Sequence, residues 1–460
     1  MQFPRPTGPC SEDKGKGKGR KRDMRGSQQT RRGFLKRCAV TGIGLAAPSF
    51  VPSHVLASDE RPGANDRIGV GYIGVGRRGQ QLMGLPQEAR IVAVSDVYRD
   101  RAESVAAGRR CRAYTDYRKM LEATDVDAVI VATPDHWHTL PCIHACQAGK
   151  DIYCEKPLTL TIHEGQLLVQ AVRKYGRVLQ TGSQQRSMAA NRRGCELVRN
   201  NRIGRVHTVI GYNYPSPWNC ALPEQPVPQG LDWDRWCGQT QVVPYHKDIF
   251  APRARPGWIS FRPWSGGEMT GWGAHGLDQI QWALGTDRTG PVEIWTEGAP
   301  FNPPTYEEPG PISQGNAICS RPLVRFRYAN GVVLKLDDRA PRGGAVFLGE
   351  KGRVTITRGR YTIELKELDE EPFQDTDLRL YVSNDHMQNW IDCIKTRRLP
   401  VADVEIGHRS ATLCHLGNIA RWLNRPLRWD PVKEVFPGDD EANALCRRPQ
   451  RKPYALPETV

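Results

Sequence analysis

Short unbroken apolar runs recur from residue 68 onward: Ile68–Ile73 (IGVGYI), residues 90–95 within RIVAVSD, 127–133 (DAVIVAT), Asp151–Cys154 and 177–180. Runs this short suit strands buried on both faces of a parallel sheet. Helix-length stretches separate them at residues 102–107, 117–123, 139–148 and 161–175, the last opened by a capping box of Thr161 with Glu164. The alternation predicts an α/β fold over residues 65–185. Beyond residue 185 the period changes. Residues 206–213 (VHTVIGYN), 323–328, 331–336 and a pair spanning 346–363 read as longer, antiparallel-style strands, so a second α+β domain is expected over 186–429. Residues 384–395 and 408–423 have helical apolar faces. The Pro-rich, charged tail 430–460 is expected to wrap the surface or a neighbouring subunit.

The first apolar run passes into Gly74-Val-Gly76-Arg77-Arg78-Gly79, and the second closes on Asp96 about twenty residues later. In a strand–turn–helix unit the first glycine permits the sharp turn, the second lets backbone N–H groups approach a pyrophosphate, and the third lets the helix pack close to the sheet. Asp96 at the end of the second strand is placed to hold a ribose diol. A carboxylate there repels a 2′-phosphate, which favours NAD over NADP, although Tyr98 and Arg99 follow at once. The 127–133 run ends in Thr133-Pro134-Asp135-His136-Trp137-His138, at the sheet edge where such folds bind ligands. A cofactor-facing or substrate-facing loop, including Thr133, Pro134 and His138, is the expectation. A metal is not, because no second cluster has matching spacing.

Composition changes the picture mainly at the N-terminus. Of the net charge of +15, residues 1–37 carry +9, with 12 Lys and Arg against 3 acids, which leaves an unremarkable +6 for the rest and argues against a nucleic-acid partner. Residues 1–57 read as a disordered basic leader followed by a twin-arginine export signal: Arg31-Arg32-Gly33-Phe34-Leu35, a short apolar stretch, and small residues near Ala57. Met24 is a candidate translation start. The apolar stretch falls short of the ~20 residues of a permanent membrane span. Passage through the twin-arginine machinery to the periplasm or beyond, folded and with cofactor aboard, is the expectation. Folding before export would keep the cysteines reduced, and Cys142 and Cys146 read as buried apolar residues.

Four stretches taken together resemble the Gfo/Idh/MocA family: Gly74-x-Gly76-x-x-Gly79, ATPDHWH, Glu155-Lys156-Pro157 after the fifth strand, and QTGSQQRS, containing Gln184, after the sixth. The resemblance runs from about residue 67 to 429. It implies a Rossmann domain, a C-terminal domain with a large, mostly antiparallel sheet that often mediates homo-oligomers (dimer or tetramer), and NAD(P)-dependent oxidoreductase activity on sugars, cyclitols and related polyols. Lys156 has a physical role independent of that likeness, since a lysine at a strand tip beside a nicotinamide can stabilise the oxygen whose carbon gains or loses hydride.

The segment between the strands at 206–213 and 323–328 holds seven of the 12 tryptophans, from Trp218 to Trp282. Indole faces stack on pyranose rings, so the cluster is a carbohydrate wall or, equally, core. Within it a helix is predicted over 268–284, with Leu277, Ile280 and Leu284 on the core face and His275, Asp278, Gln279 and Trp282 on the other. His275 is the candidate general base. The family resemblance places an Asp four residues before this His, and here that position is Gly271, so Asp278 or Glu268 is left to orient the imidazole. The functional expectation is an exported oxidoreductase with a tightly held dinucleotide. The alternatives are glycoside cleavage through transient oxidation and elimination, or a non-catalytic sugar-binding protein.

Overall fold

The computed structural model describes residues 66–251, 257–303, 305–308 and 321–460. The leader and the twin-arginine stretch at 1–57 lie outside these residues.

The first half alternates strand and helix: β1 (Ile68–Ile73), α1 (Arg77–Gln81), β2 (Ala89–Ser95), α2 (Arg99–Arg109), β3 (Arg112–Tyr114), α3 (Tyr117–Leu121), β4 (Ala128–Val131), α4 (Thr139–Gln147), β5 (Asp151–Cys154), α5 (Ile162–Lys174) and β6 (Leu179–Thr181). All six strands run parallel in the order β3-β2-β1-β4-β5-β6. Strand order reverses between β1 and β4, which opens a crevice at the carboxyl edge. Both faces are buried, as the unbroken apolar runs require. On β1, Val70 and Tyr72 face one way, toward Leu82 and Ala106, while Ile73 faces the other, toward Leu140 and Leu168.

The second half opens with α6 (Ala189–Arg199) and β7 (Val206–Tyr212), then the short helices α7 (Trp233–Cys237), α8 (Lys247–Phe250) and α9 (Glu268–Gly271), and α10 (Gly273–Leu284). Next come β8 (Glu293–Glu297), β9 (Leu323–Arg327), β10 (Val333–Asp337), β11 (Ala345–Gly349), β12 (Gly352–Thr357) and β13 (Arg360–Ile363). The chain closes with α11 (Glu367–Glu370), α12 (His386–Thr396), α13 (Val404–Leu423), β14 (Leu427–Arg428) and α14 (Asp440–Ala444). Eight strands form one sheet, ordered β13-β12-β11-β7-β10-β9-β8-β14, antiparallel except for the β7–β10 pair. Val209, Phe326, Leu334 and Phe347 from its inner face meet Leu197, Leu277 and Ile280 in the largest core. The fold is therefore α/β, a Rossmann-type sheet followed by a mostly antiparallel one.

Three features depart from the sequence expectation. The 268–284 helix breaks at Trp272, and all of α10 except Leu284 is buried, because α13 covers the face expected to be open. The late helix α12 packs Trp390 and Ile391 against the parallel sheet, so the second half supplies part of the first sheet's cover. Of the capping box, Thr161 does accept from the Glu164 N–H, but the Glu164 carboxylate turns to Leu160 N, the Thr139 hydroxyl and Arg448 instead of the Thr161 N–H. The tail folds back on its own chain, with Tyr454 against Trp137 and Arg451 paired with Asp234. Cys142 and Cys146 are buried free thiols, and burial pushes both up.

Candidate active site

A cavity of about 890 Å³ opens along the carboxyl edge of the parallel sheet and is closed on the far side by the second half of the chain. One end is the β1–α1 turn. Gly74 sits at φ +83°, where a Cβ would lie 2.9 Å from Thr133 N. At Gly76 a Cβ would meet only the Arg101 guanidinium, at 3.6 Å, so the backbone there is open to the cavity. Gly79 faces away from the cavity. A Cβ on it would come 2.2 Å from Gly74 O, so its role is the close seating of α1. Arg77 and Arg78 line the wall, and Arg78 pairs with Glu155 at 2.8 Å.

Asp96, at the tip of β2, accepts hydrogen bonds from Val75 N and Tyr98 N, both at 3.0 Å, and lies 3.4 Å from Arg101. Arg101, which sequence reading did not single out, is the cation beside this carboxylate; Arg99 is exposed. Its guanidinium also lies over the rings of Tyr98 and Phe250, at 5.4 and 5.1 Å. Thr133 and Pro134 line the middle of the cavity, and the Thr133 hydroxyl oxygen is buried with no hydrogen-bond partner among the described residues. His138 stands between two carbonyl oxygens, Pro157 O at 2.6 Å and Thr133 O at 3.0 Å, and so ties the Thr133 loop to the segment that follows Lys156. His136 turns away to Trp236 O at 2.8 Å. Among the described residues, no group of three or more His, Cys, Asp or Glu is placed to hold a metal, and no helix is long and apolar enough to cross a membrane.

Beyond the tip of β5, Glu155 is buried and accepts from Arg78 and from Gln184, the latter at 3.0 Å. Lys156 reaches across the cavity and donates to Gly271 O at 3.0 Å. The ammonium thus meets a backbone carbonyl at the position where the family likeness expects a carboxylate. His275 lines the same wall, its ring edge-on to Trp272 at 5.7 Å. Glu268 lines it too and accepts from Trp272 N.

Asp278, expected to work with His275, does not reach the cavity. One turn further along α10 its carboxylate is held by Arg186 at 2.9 and 3.0 Å and by the Ser410 hydroxyl at 2.7 Å, and Arg186 continues to Asp287. Burial pushes the Asp278 carboxyl up against the pull of Arg186. The residue ties α10 to α13 and has no part in the cavity. The tryptophans divide as well. Trp218, Trp236, Trp258 and Trp272 line the cavity, whereas Trp233, Trp264 and Trp282 are core. Sequence reading also missed Tyr212, Tyr214 and Arg342, which enter the cavity from β7 and the β10–β11 loop, hundreds of residues from the glycine turn in the case of Arg342. No local motif marks them.

A doubly wound sheet with a glycine turn, a strand-tip acid and a lysine–histidine pair in one cleft defines a Rossmann-type oxidoreductase. Two family models match in tandem, "Oxidoreductase family, NAD-binding Rossmann fold" over residues 68–183 and "Oxidoreductase family, C-terminal alpha/beta domain" over 202–456. The chain belongs to the Gfo/Idh/MocA oxidoreductase family. It is 25% identical over 277 residues, 59% of this chain and 67% of the relative, to the uncharacterized oxidoreductase YrbE of Bacillus subtilis. It is 37% identical over 186 residues to inositol 2-dehydrogenase 3 of Saccharopolyspora erythraea, covering 38% of this chain and 55% of that one. To myo-inositol 2-dehydrogenase of Thermotoga maritima it is 30% identical over 173 residues, 37% of this chain and 49% of the relative. The match therefore spans only about half the length of these two inositol dehydrogenases. In fold it resembles the WlbA dehydrogenase of Bordetella pertussis, solved with NADH and UDP-GlcNAcA, with TM-score 0.56 at 19% identity over 79% of this chain and 99% of that one.

Proposed function

We propose that this chain is an NAD(P)-dependent oxidoreductase acting on a CH–OH group of a sugar, glycoside or cyclitol. The observation that carries the reading is that Lys156 and His275 line one cavity with the Gly74–Gly76 turn and Asp96. The inositol dehydrogenases among its relatives support the substrate class. The glycine turn, Asp96, the unpartnered Thr133 hydroxyl and Gln184 fit a dinucleotide, and when bound that group supplies the two-electron redox chemistry.

The protein's own share is proton handling and orientation. His275 takes the proton of the substrate hydroxyl, and Lys156 exchanges Gly271 O for the substrate oxygen and favours its charged form. NAD is preferred over NADP because Asp96 is the acid next to the ribose position, with Arg101 weakening that preference. The twin-arginine stretch at 31–35 supports export, with the cofactor captured first, and the large sheet supports a dimer or tetramer.

Mass spectrometry of small molecules released from the denatured protein, followed by a sugar and cyclitol panel watched at the nicotinamide absorbance band, tests the reading. Bound NAD(H) and turnover of at least one polyol are expected. A protein that carries no nicotinamide nucleotide and takes none up overturns it, and release of an aryl aglycone without added cofactor would point to elimination chemistry instead.

A further inference from the structure

The walls of the lysine end carry more positive charge than a neutral sugar requires. The Arg342 guanidinium lies over the Tyr212 ring at 5.0 Å and donates to the Tyr212 hydroxyl at 3.1 Å. The next residue, Gly343, donates its N–H to the Tyr214 hydroxyl at 2.7 Å and lies against Trp272, so Arg342 enters the cavity beside the segment that holds Gly271 and His275. Arg321 lines the same end, and its closest carboxylate among the described residues is Asp338 at 3.8 Å.

Behind the wall formed by Tyr214 and Ser216 is a third guanidinium. Arg421 is fully buried and, among the described residues, is held by neutral acceptors: Tyr214 O, the Ser216 hydroxyl, Asn213 Oδ1 and Pro322 O. Burial works against its charge, Arg321 adds to that, and Asp338 opposes it. Of the four carboxylates among the described residues that line the cavity, Asp96, Asp135 and Glu155 are engaged elsewhere along it, by Val75 N, the Ser265 hydroxyl and Arg78. Glu268 lines this end with Lys156, Arg321 and Arg342, and its charge acts on Arg342. Low-dielectric walls focus such a field into a cleft, and an anion entering it adds to the pull of Asp338 on a buried cation that has no carboxylate in direct contact among the described residues.

We infer that the substrate is an acidic sugar, one carrying a carboxylate or a phosphate, and that Arg342 with Arg321 binds the anionic group while the oxidised carbon faces Lys156 and His275. This rests on the oxidoreductase reading above for the identity of the site and narrows it to charged substrates. A planar guanidinium suits a carboxylate because two parallel N–H groups match its two oxygens, and the ring of Tyr212 keeps the fork in place.

The test is calorimetric binding of D-glucuronate, D-glucose 6-phosphate, D-glucose and myo-inositol to the purified full chain, with turnover of each followed in parallel. At least one of the two acidic sugars is expected to bind ~10-fold or more tightly than the neutral ones, and which one does so separates carboxylate from phosphate. Arg342→Gln should remove most of that preference and Arg342→Lys should restore part of it. Equal binding of acidic and neutral sugars, or a preference unchanged in Arg342→Gln, overturns the inference. Preferential binding of an acid by a protein that carries no nicotinamide nucleotide and takes none up supports the anion site while overturning the oxidoreductase reading.

Discussion

At the glycine end of the cavity, Gly74, Gly76, Arg77 and Arg78 from one short stretch make the wall. At the lysine end the wall comes from Lys156, Tyr212, Tyr214, Ser216, Glu268, Gly271, His275, Arg321 and Arg342. The first is held by steric closure, with a glycine at φ +83° against Thr133 N and another under Gly74 O. The second is held by hydrogen bonds and charge, through Lys156 to Gly271 O, Tyr214 to Gly343 N, and Arg421 to four neutral acceptors. A steric site tolerates no added atom, while an electrostatic one depends on distant segments staying docked. The two ends should therefore fail in different ways.

Acid is expected to act most strongly, through the docking. Three buried histidines bridge the halves of the chain: His136 to Trp236 O, His386 to Thr181 O and His415 to Thr159 O. Burial pushes them down to about 3, about 4 and about 4, each below the ordinary value of 6.5. The unfolded chain then binds protons that the native chain does not, so stability is full above about pH 6.5 and declines as pH falls toward 4. The decline should approach ~4 kcal/mol per pH unit if all three contribute in full, at ~1.4 kcal/mol each. Urea midpoints at pH 7 and pH 5 measure it, and equal midpoints would mean that these histidines do not hold the halves together.

Removing Arg186 comes next. Arg186→Leu leaves Asp278 buried without its cation and should cost ~3–5 kcal/mol in urea unfolding, a loss that a group acting only in catalysis would not produce. Lys156→Ala should do the reverse. Turnover falls ~100-fold, with dinucleotide retained, while unfolding moves by no more than the ~1 kcal/mol of one hydrogen bond. A smaller loss of stability than that of Arg186→Leu is expected at the glycine end, where Gly79→Ala forces α1 off its strand at a cost of ~1–3 kcal/mol and should lower the amount of nucleotide that copurifies. If Gly79→Ala kept its nucleotide while Lys156→Ala lost it, the contrast between the two ends would be reversed.

Most of the parallel sheet was readable because each strand there is a run buried on both faces, a signal that needs no partner to be seen. The Gly74, Gly76, Asp96, Thr133 and Lys156 positions were readable for a related reason: each follows a strand at its carboxyl tip, and the topology brings the tips together. The strands β8 and β14 were missed, since Glu293–Glu297 has alternating polarity weakened by Trp295 and β14 is two residues long. Asp278 was misplaced because its helix was read as having one open face. Only the packing of α13 over α10, with Arg186 in between, shows that both faces are closed.

The sequence by itself determined the strand–turn–helix unit, the succession of the first six strands along the chain and the candidate lysine and histidine, because backbone geometry and hydrophobic period act over a few residues and are written locally. The tertiary structure decided which carboxylate meets which cation and which tryptophans face the cavity. It also decided how Arg342 comes to line the cavity while Arg421 stands behind its wall. Those outcomes depend on burial and on charge between segments distant along the chain, and neither quantity exists until the chain has folded.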